Sequence, residues 1–482
     1  MRRIATLAAL SAALILPACT VGPNFHTPET AKVEHYTAQE LKLDLALSTT
    51  LPEQWWRLFS SAKLNGLIAQ GLANNLSLHA ADARLREVQE NLSAQVGSVL
   101  YPAIDAKGSS GRQKISGAPF GSPPRIYSVH NASVSASYGM DLFGASKRYL
   151  EAMEAQVDYA RFQREAARIS VAANIATAAI SEASLRAQMA VVTQLILDSQ
   201  AQLAIVEQQW KLGAVPQRDV LTRRSALVEA RTAMPSLQQQ LQQNRHLLNV
   251  LVGKMPANVD LPEFTLDDLK FPPQLPLTLP SQLAHQRPDI LAAEALLHQA
   301  SANVGVAEAN RYPHISLSAS LGSESATLGN LFGAGSSIWG LGAGLTQPLF
   351  HGGELKAKKR AAEAAYDQAL ANYRDVVLQA FRDVADALLA LESDQQQLKL
   401  ADDGAQAAAA LLALMQKQYD AGATSRIQLL NAHQQYQQTQ TTLARATATQ
   451  LADSAALMHA LGGGWSRKSH STEETPAVAS ER

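Results

Sequence analysis

The segment His314-Ile315-Ser316-Leu317-Ser318-Ala319-Ser320-Leu321 alternates an apolar residue with a small or polar one at every step. Trp339-Gly340-Leu341-Gly342-Ala343-Gly344-Leu345-Thr346 does the same with glycine as the small partner. A period of two, bounded by a glycine-rich loop, marks two strands of a hairpin. The pattern returns more faintly over Ala103 to Gln113 and clearly in Ser133-Val134-Ser135-Ala136-Ser137-Tyr138, with a Pro-Pro loop between. The expected strands are therefore about 103–115, 127–140, 314–323 and 337–347. A lone hairpin is not stable in water. Strands near the ~9 to 11 residues of a membrane strand, apolar on one face and small or polar on the other, suit a transmembrane barrel. Four strands cannot close one, because the smallest known barrels have about eight. The chain must oligomerise, and three copies would supply twelve strands.

Each hairpin leads into a helix of unusual length. Gly144 to Gly213 and Gly353 to Gly422 are proline-free steps of 69 residues, with Ala and Leu at helical spacing among Arg, Glu and Gln. At 1.5 Å per residue such a helix reaches ~100 Å, far longer and more polar than a membrane span. Long helices are expected at about 144–212 and 353–421, with shorter ones returning at about 217–252 and 425–461. An ordinary soluble coiled coil competes for this helical pattern taken alone.

The spacing of these landmarks is one number. Gly144 and Gly353, Gly213 and Gly422, and Gly253 and Gly462 are each 209 residues apart, and Tyr101-Pro102 answers Tyr312-Pro313 at 211. Leu142-Phe143-Gly144 matches Leu349-Phe350-His351-Gly352-Gly353 with two residues inserted. A period this long is duplication of a large subdomain, not a solenoid repeat.

Composition agrees with long helices and thin cores. Of 482 residues, 46% are apolar but only 5% aromatic, and 41 basic against 42 acidic side chains leave a net charge of −1. Nucleic acid, which asks for a basic face, is excluded as a partner. The single cysteine, Cys19, rules out an internal disulfide and a multi-cysteine metal cage. The sequence holds no Walker loop, His-Glu-x-x-His or nucleophile elbow, and its 12 histidines are scattered. No catalytic residue, metal site or cofactor is expected, and the chain is read as no enzyme.

The chain opens with Met1-Arg2-Arg3 and an apolar run from Ile4 to Leu16, too short to span a bilayer. Leu16-Pro17-Ala18-Cys19 resembles the lipobox of bacterial lipoproteins. That resemblance implies removal of residues 1–18 and a covalent lipid on Cys19. Thr20 in place of aspartate implies the outer membrane.

After the lipobox come Val21-Gly22-Pro23-Asn24-Phe25, Trp55-Trp56-Arg57-Leu58-Phe59, Arg287-Pro288-Asp289-Ile290, Tyr312-Pro313-His314-Ile315, Gln347-Pro348-Leu349-Phe350 and Ala460-Leu461-Gly462-Gly463-Gly464-Trp465. In this order the motifs resemble the outer-membrane factor family, the TolC/OprM-like ducts, and within it the NodT-type lipoproteins of RND efflux. The resemblance implies a mixed α/β membrane protein. It would be a homotrimer with a 12-stranded outer-membrane β-barrel, continued by a periplasmic α-helical barrel with an equatorial domain. The layout expected is a signal peptide (1–18), a lipidated segment with equatorial contacts (19–73), a first repeat (74–253), an equatorial linker (254–281), a second repeat (282–462) and a polar tail (463–482).

The function implied is a passive exit duct for small molecules, delivered by an inner-membrane pump of RND type through a periplasmic adaptor. Alternatives are a duct for type I protein secretion and a non-conducting lipoprotein that spaces the envelope. By the same resemblance the turns at Gly213-Ala214 and Gly422-Ala423 dock the adaptor. The family's periplasmic gate falls on Tyr419 and Asp219. Its arginine position holds Thr424, with Arg426 as a substitute, and its aspartate rings are replaced by Gln428 and Asn431. Amide rings carry no charge, so weak cation selectivity is expected.

Overall fold

The structure, a computed structural model, describes residues 20–29, 35–38, 43, 45–47, 51–116, 118–121, 123–258, 260–272, 274–277, 283 and 286–465. Cys19, the expected signal peptide and the tail beyond Trp465 lie outside the described residues. In chain order the elements are β1 (Leu45–Leu47), α1 (Ala62–Asn74), α2 (Leu76–Leu100), β2 (Ala103–Ile115), β3 (Arg125–Met140), α3 (Ala145–Lys211) and α4 (Gln217–Leu251). Then follow β4 (Leu275–Leu277), α5 (Pro288–Ala309), β5 (His314–Ser325), β6 (Ser337–Thr346), α6 (Glu354–Asp420) and α7 (Arg426–Ala460). Both long helices count 67 residues and both return helices 35, so the duplication is carried into the fold. The chain divides into two compact units, one from 1–28, 84–161 and 292–374, the other from 29–83, 162–291 and 375–482.

The first unit holds a four-stranded antiparallel sheet in the order β2-β3-β5-β6. Its register sorts the side chains. Leu317 lies opposite Ala343 and Tyr138, Leu321 opposite Trp339 and Val134, and Ala136 opposite Ile104, so these apolar residues, drawn from all four strands, share one face. Ser316, Ser318 and Ser320 fall opposite Gly344, Gly342 and Gly340 on the other. The fit there is close: a methyl group at Gly342 would come within 2.8 Å of the Ser318 hydroxyl. On the apolar face Trp339 is 74% exposed and Leu341 79%. A contiguous apolar sheet face that no described residue covers has hydrocarbon as its natural solvent. At either edge β2 and β6 leave a row of peptide groups without a strand partner among the described residues.

Near the sheet, α2 and α3 join through Leu85, Val88, Val157 and Ala160. Segment 20–28 is fastened by Arg148. Its guanidinium donates to the carbonyls of Val21 and Gly22, both at 3.3 Å, and to Asn24 Oδ1 at 2.7 Å.

In the second unit the alanine-rich composition finds its use. Ala172, Ala176, Ala179 and Ala183 of α3 are all buried, and their four-three-four spacing places them on one stripe, where small side chains let neighbouring helices approach closely. Bulkier packing comes from Trp55, Phe59, Leu64, Ile68 and Phe264. Three-residue strands β1 and β4 pair in parallel, Lys270 N–H donates to the Phe59 carbonyl (2.9 Å), and Lys63 meets Asp268 at 2.9 Å. The N-terminal segment and the linker are thereby joined. The Arg287-Pro288-Asp289 motif has a structural explanation. Arg287 donates to the last carbonyl of α7, Ala460 O (2.8 Å), and is itself held by Asp289 at 2.6 Å. A cation at a helix C-terminus satisfies orphan carbonyls and complements the dipole.

Candidate functional site: helical turns, hairpin seam and two-faced sheet

Two turns join the long helices to their return helices, and they are built alike. Gly213 N–H donates to Trp210 O (2.9 Å) and Ala214 N–H to Gln209 O (2.8 Å); Gly422 and Ala423 bond Tyr419 O and Gln418 O at the same distances. This paired closure needs a left-handed residue after the helix, and the two glycines supply φ of +74° and +71°. Gly213, Ala214, Gly422 and Ala423 are all exposed, and a methyl group at either glycine would meet nothing within 4 Å. Each turn therefore presents a smooth, small-residue surface, flanked in the first repeat by exposed Leu212.

The residues expected at the gate flank both turns, Asp219 beside the first and Tyr419, Arg426, Gln428 and Asn431 beside the second. Asp219 stands in the first turn of α4, where a carboxylate suits the helix dipole, and takes a contact from Arg218 at 3.4 Å. Tyr419 is half-buried at the end of α6, and Arg426 opens α7 exposed. Among the described residues none bonds the side chain of Tyr419 or of Arg426, so one protomer does not close the Tyr419–Asp219 contact. Thr424 donates its hydroxyl to Gln428 Oε1, and the Gln428 backbone N–H is capped by Ser425 Oγ at 3.3 Å.

Asn431 is engaged sideways. Its Oδ1 accepts from Gln202 of α3 at 3.3 Å, and Gln202 Oε1 in turn accepts from Arg223 of α4 at 2.8 Å. Further along α7, His433 bonds the buried carboxylate of Asp198, Gln434 donates to Ser199 Oγ (3.2 Å), and Arg445 donates to Gln188 (2.8 Å). A polar seam thus ties α7 of the second repeat to α3 of the first. Sequence reasoning singled out Asn431 alone from this seam. Its partners are 229 to 257 residues away, and no local spacing announces them.

In the first unit, the stretch after the strand hairpin of the first repeat meets the stretch before that of the second. Phe143 stacks on Tyr312 with ring centroids 4.8 Å apart, and His298 Nε2 lies 2.9 Å from Glu151 Oε1. Burial acts to raise the Glu151 carboxyl, but bonds from Arg148 and His298 outweigh it and hold the group below the usual carboxylate range.

A two-faced antiparallel sheet with open edges, joined to paired helices of 67 and 35 residues built twice over, defines a channel-type outer-membrane protein. The family model described as outer membrane efflux protein matches residues 67–254 and again 279–463, once for each repeat. The chain belongs to the outer membrane efflux protein family. It is 31% identical over 422 residues to the pyoverdine export outer membrane protein OpmQ of Pseudomonas putida, covering 86% of this chain and 89% of that one. To the probable efflux pump outer membrane protein TtgC of the same organism it is 29% identical over 473 residues, 97% of each chain. The solved open-state MtrE outer membrane channel of Neisseria gonorrhoeae superposes with a TM-score of 0.82 at 28% identity, over 93% of this chain and 99% of that one. The chain is an efflux exit channel of a Gram-negative outer membrane.

Proposed function

We propose that the chain works as a homotrimer. In it, β6 of each copy pairs with β2 of the next to close a 12-stranded barrel, and the hairpins line up below as a tube through which small molecules leave. The observation that carries this reading is the sheet itself: an exposed apolar face, a Ser/Gly face opposite, and two edges unpaired among the described residues that hydrocarbon would not tolerate. The Ser/Gly face lines the bore and offers little to select cargo, so selection falls to an inner-membrane pump of RND type reached through a periplasmic adaptor. Cys19 carries the lipid anchor, and Arg148 holds the chain that follows it. Mass spectrometry of the mature protein should find Cys19 acylated at a new amino terminus. Purified protein in a planar bilayer should conduct ions, whereas a trimer closed under every condition would favour an envelope spacer.

A further inference from the structure

The duplication places four exposed side chains where a second copy of this chain would use them. Within one protomer the seam between repeats is made by Phe143 on Tyr312 and Glu151 with His298. Phe143 and Glu151 follow the strand hairpin of the first repeat, and Tyr312 and His298 precede that of the second. Their counterparts follow from the sequence alignment of the repeats. Phe143 answers to Phe350 in the Leu-Phe motif; Tyr312 answers to Tyr101 and His298 to Glu87 at a spacing of 211; Glu151 answers to Arg360 at 209.

All four counterparts stand open. Tyr101 is 65% and Phe350 86% exposed. The Glu87 side chain is 56% exposed and pairs with its helix neighbour Arg84 at 2.7 Å, while Arg360 is exposed. They belong to opposite edges of the sheet, because β2 follows Tyr101 and Phe350 follows β6. One chain cannot bring them together. A neighbouring copy can, by a head-to-tail contact that repeats the internal one and closes as a ring.

The geometry points to a specific inter-subunit clasp: Phe350 of one copy stacks on Tyr101 of the next, and Arg360 of the first pairs with Glu87 of the second. This rests on the homotrimer reading and names the contacts that fix it. The chemistry of the pairs is the argument. The internal pair sets an acid on α3 against a base on α5; its counterpart has a base on α6 and an acid on α2. Both members have exchanged charge, so attraction is kept, whereas a change in either alone would have set like charges together. An aromatic pair likewise answers an aromatic pair. Two exposed aromatics in water gain nothing from that exposure, and stacking removes both from solvent.

The test is charge reversal and rescue on the full-length protein. Glu87→Arg and Arg360→Glu should each lower the trimer fraction in detergent, seen by native mass spectrometry as a rise of about tenfold in the half-dissociation concentration. The double variant should return to within about threefold of wild type, which a merely structural role for either residue would not give. Cysteines at positions 101 and 350 should be joined by a ~10 Å bis-thiol reagent in outer-membrane preparations into covalent trimers, and neither single cysteine variant should be. Cys19 is the chain's one native cysteine, so the single variants control for it. A trimeric wild type with no rescue and no 101–350 cross-link overturns the clasp and leaves the homotrimer standing. A wild type that is not trimeric overturns both.

Discussion

Asp394 gives the helical hairpin of the second repeat a pH dependence whose source has no titrating counterpart in the first. It is 5% exposed on α6, and among the described residues none bonds its Oδ2. Burial pushes its carboxyl up to about 7, with the Asp453 carboxyl of α7 adding to the rise. At the repeat spacing of 209 its counterpart is Leu185, packed with Leu237 and Leu241, and that of Asp453 is Asn244, which donates to Ala178 O at 2.7 Å. The fold thus accepts a leucine and an amide in this place, neither of which titrates.

A carboxyl raised from 3.8 to about 7 keeps its proton in the folded hairpin where the unfolded chain has lost it. Stability is then greatest below the unfolded value and falls as pH rises toward 7, the reverse of the usual salt-bridged carboxylate. The full span of about 3 units sets a ceiling near 4 kcal/mol per protomer, and the part crossed between pH 5.5 and pH 8 is about 2 kcal/mol, or ~30-fold in an opening equilibrium. Hydrogen–deuterium exchange of the detergent-solubilised protein, with protection factors corrected for intrinsic rates, reads this locally. Peptides around 388–400 and 446–458 should lose about 30-fold in protection between the two pH values. Asp394→Asn should flatten that profile and match the wild type at the acid end. Wild-type protection independent of pH, or an Asp394→Asn variant as pH-sensitive as the parent, would refute the reasoning.

Glu182 is fully buried and its Oε1 takes both Arg186 Nε (2.9 Å) and Arg245 Nη1 (2.8 Å); Glu182→Ala should cost about 3 kcal/mol, measured by denaturant unfolding, because part-buried Arg245 loses its carboxylate while Arg186 keeps Glu263. At the gate, Tyr419→Phe with Asp219→Ala should raise single-channel conductance, and Asn431→Asp should introduce block by polyvalent cations; conductance left unchanged, or strong block already present in wild type, counts against the corresponding half. At the turns, Ala214→Trp and Ala423→Trp should abolish efflux while the protein still reaches the outer membrane, since both positions are exposed and tolerate bulk in the fold. Efflux that survives both changes would remove the turns from adaptor docking.

The parts of this fold legible in the sequence are those with a short period or a backbone demand. Strict alternation announces β5 and β6, because one face must be apolar and the other small. The helix ends at Gly213 and Gly422 are legible because the closing turn needs φ near +70°. The break at Asn75 between α1 and α2 is less visible. An asparagine in an Ala- and Leu-rich run reads as one helix, yet its Oδ1 caps Ser77 and Leu78 while its Nδ2 donates to Leu251 O at 2.8 Å, a partner fixed only by the return of α4. The seam of Asp198, Gln202, Asn431 and His433 is hidden for the same reason: its register depends on how two hairpins of different repeats come together.

Duplication also makes the departures between repeats informative. The turn geometry is the same in both copies to within 0.1 Å in its two closing bonds, so the backbone has been held while the side chains around it have diverged. At the spacing of 209, Tyr419 answers to Trp210 and Asp219 to Gln428. In the proposed trimer six hairpins alternate around the tube, and its junctions are of two kinds. A phenol facing a carboxylate can form a charge-assisted bond at one kind; at the other an indole N–H faces an amide, whose oxygen already accepts from Thr424. If Tyr419 and Asp219 close the tube in that trimer, the closed state has three strong junctions, not six. A tube held at alternate junctions can loosen the weaker three first, and its pseudo-sixfold helical barrel then opens with threefold symmetry.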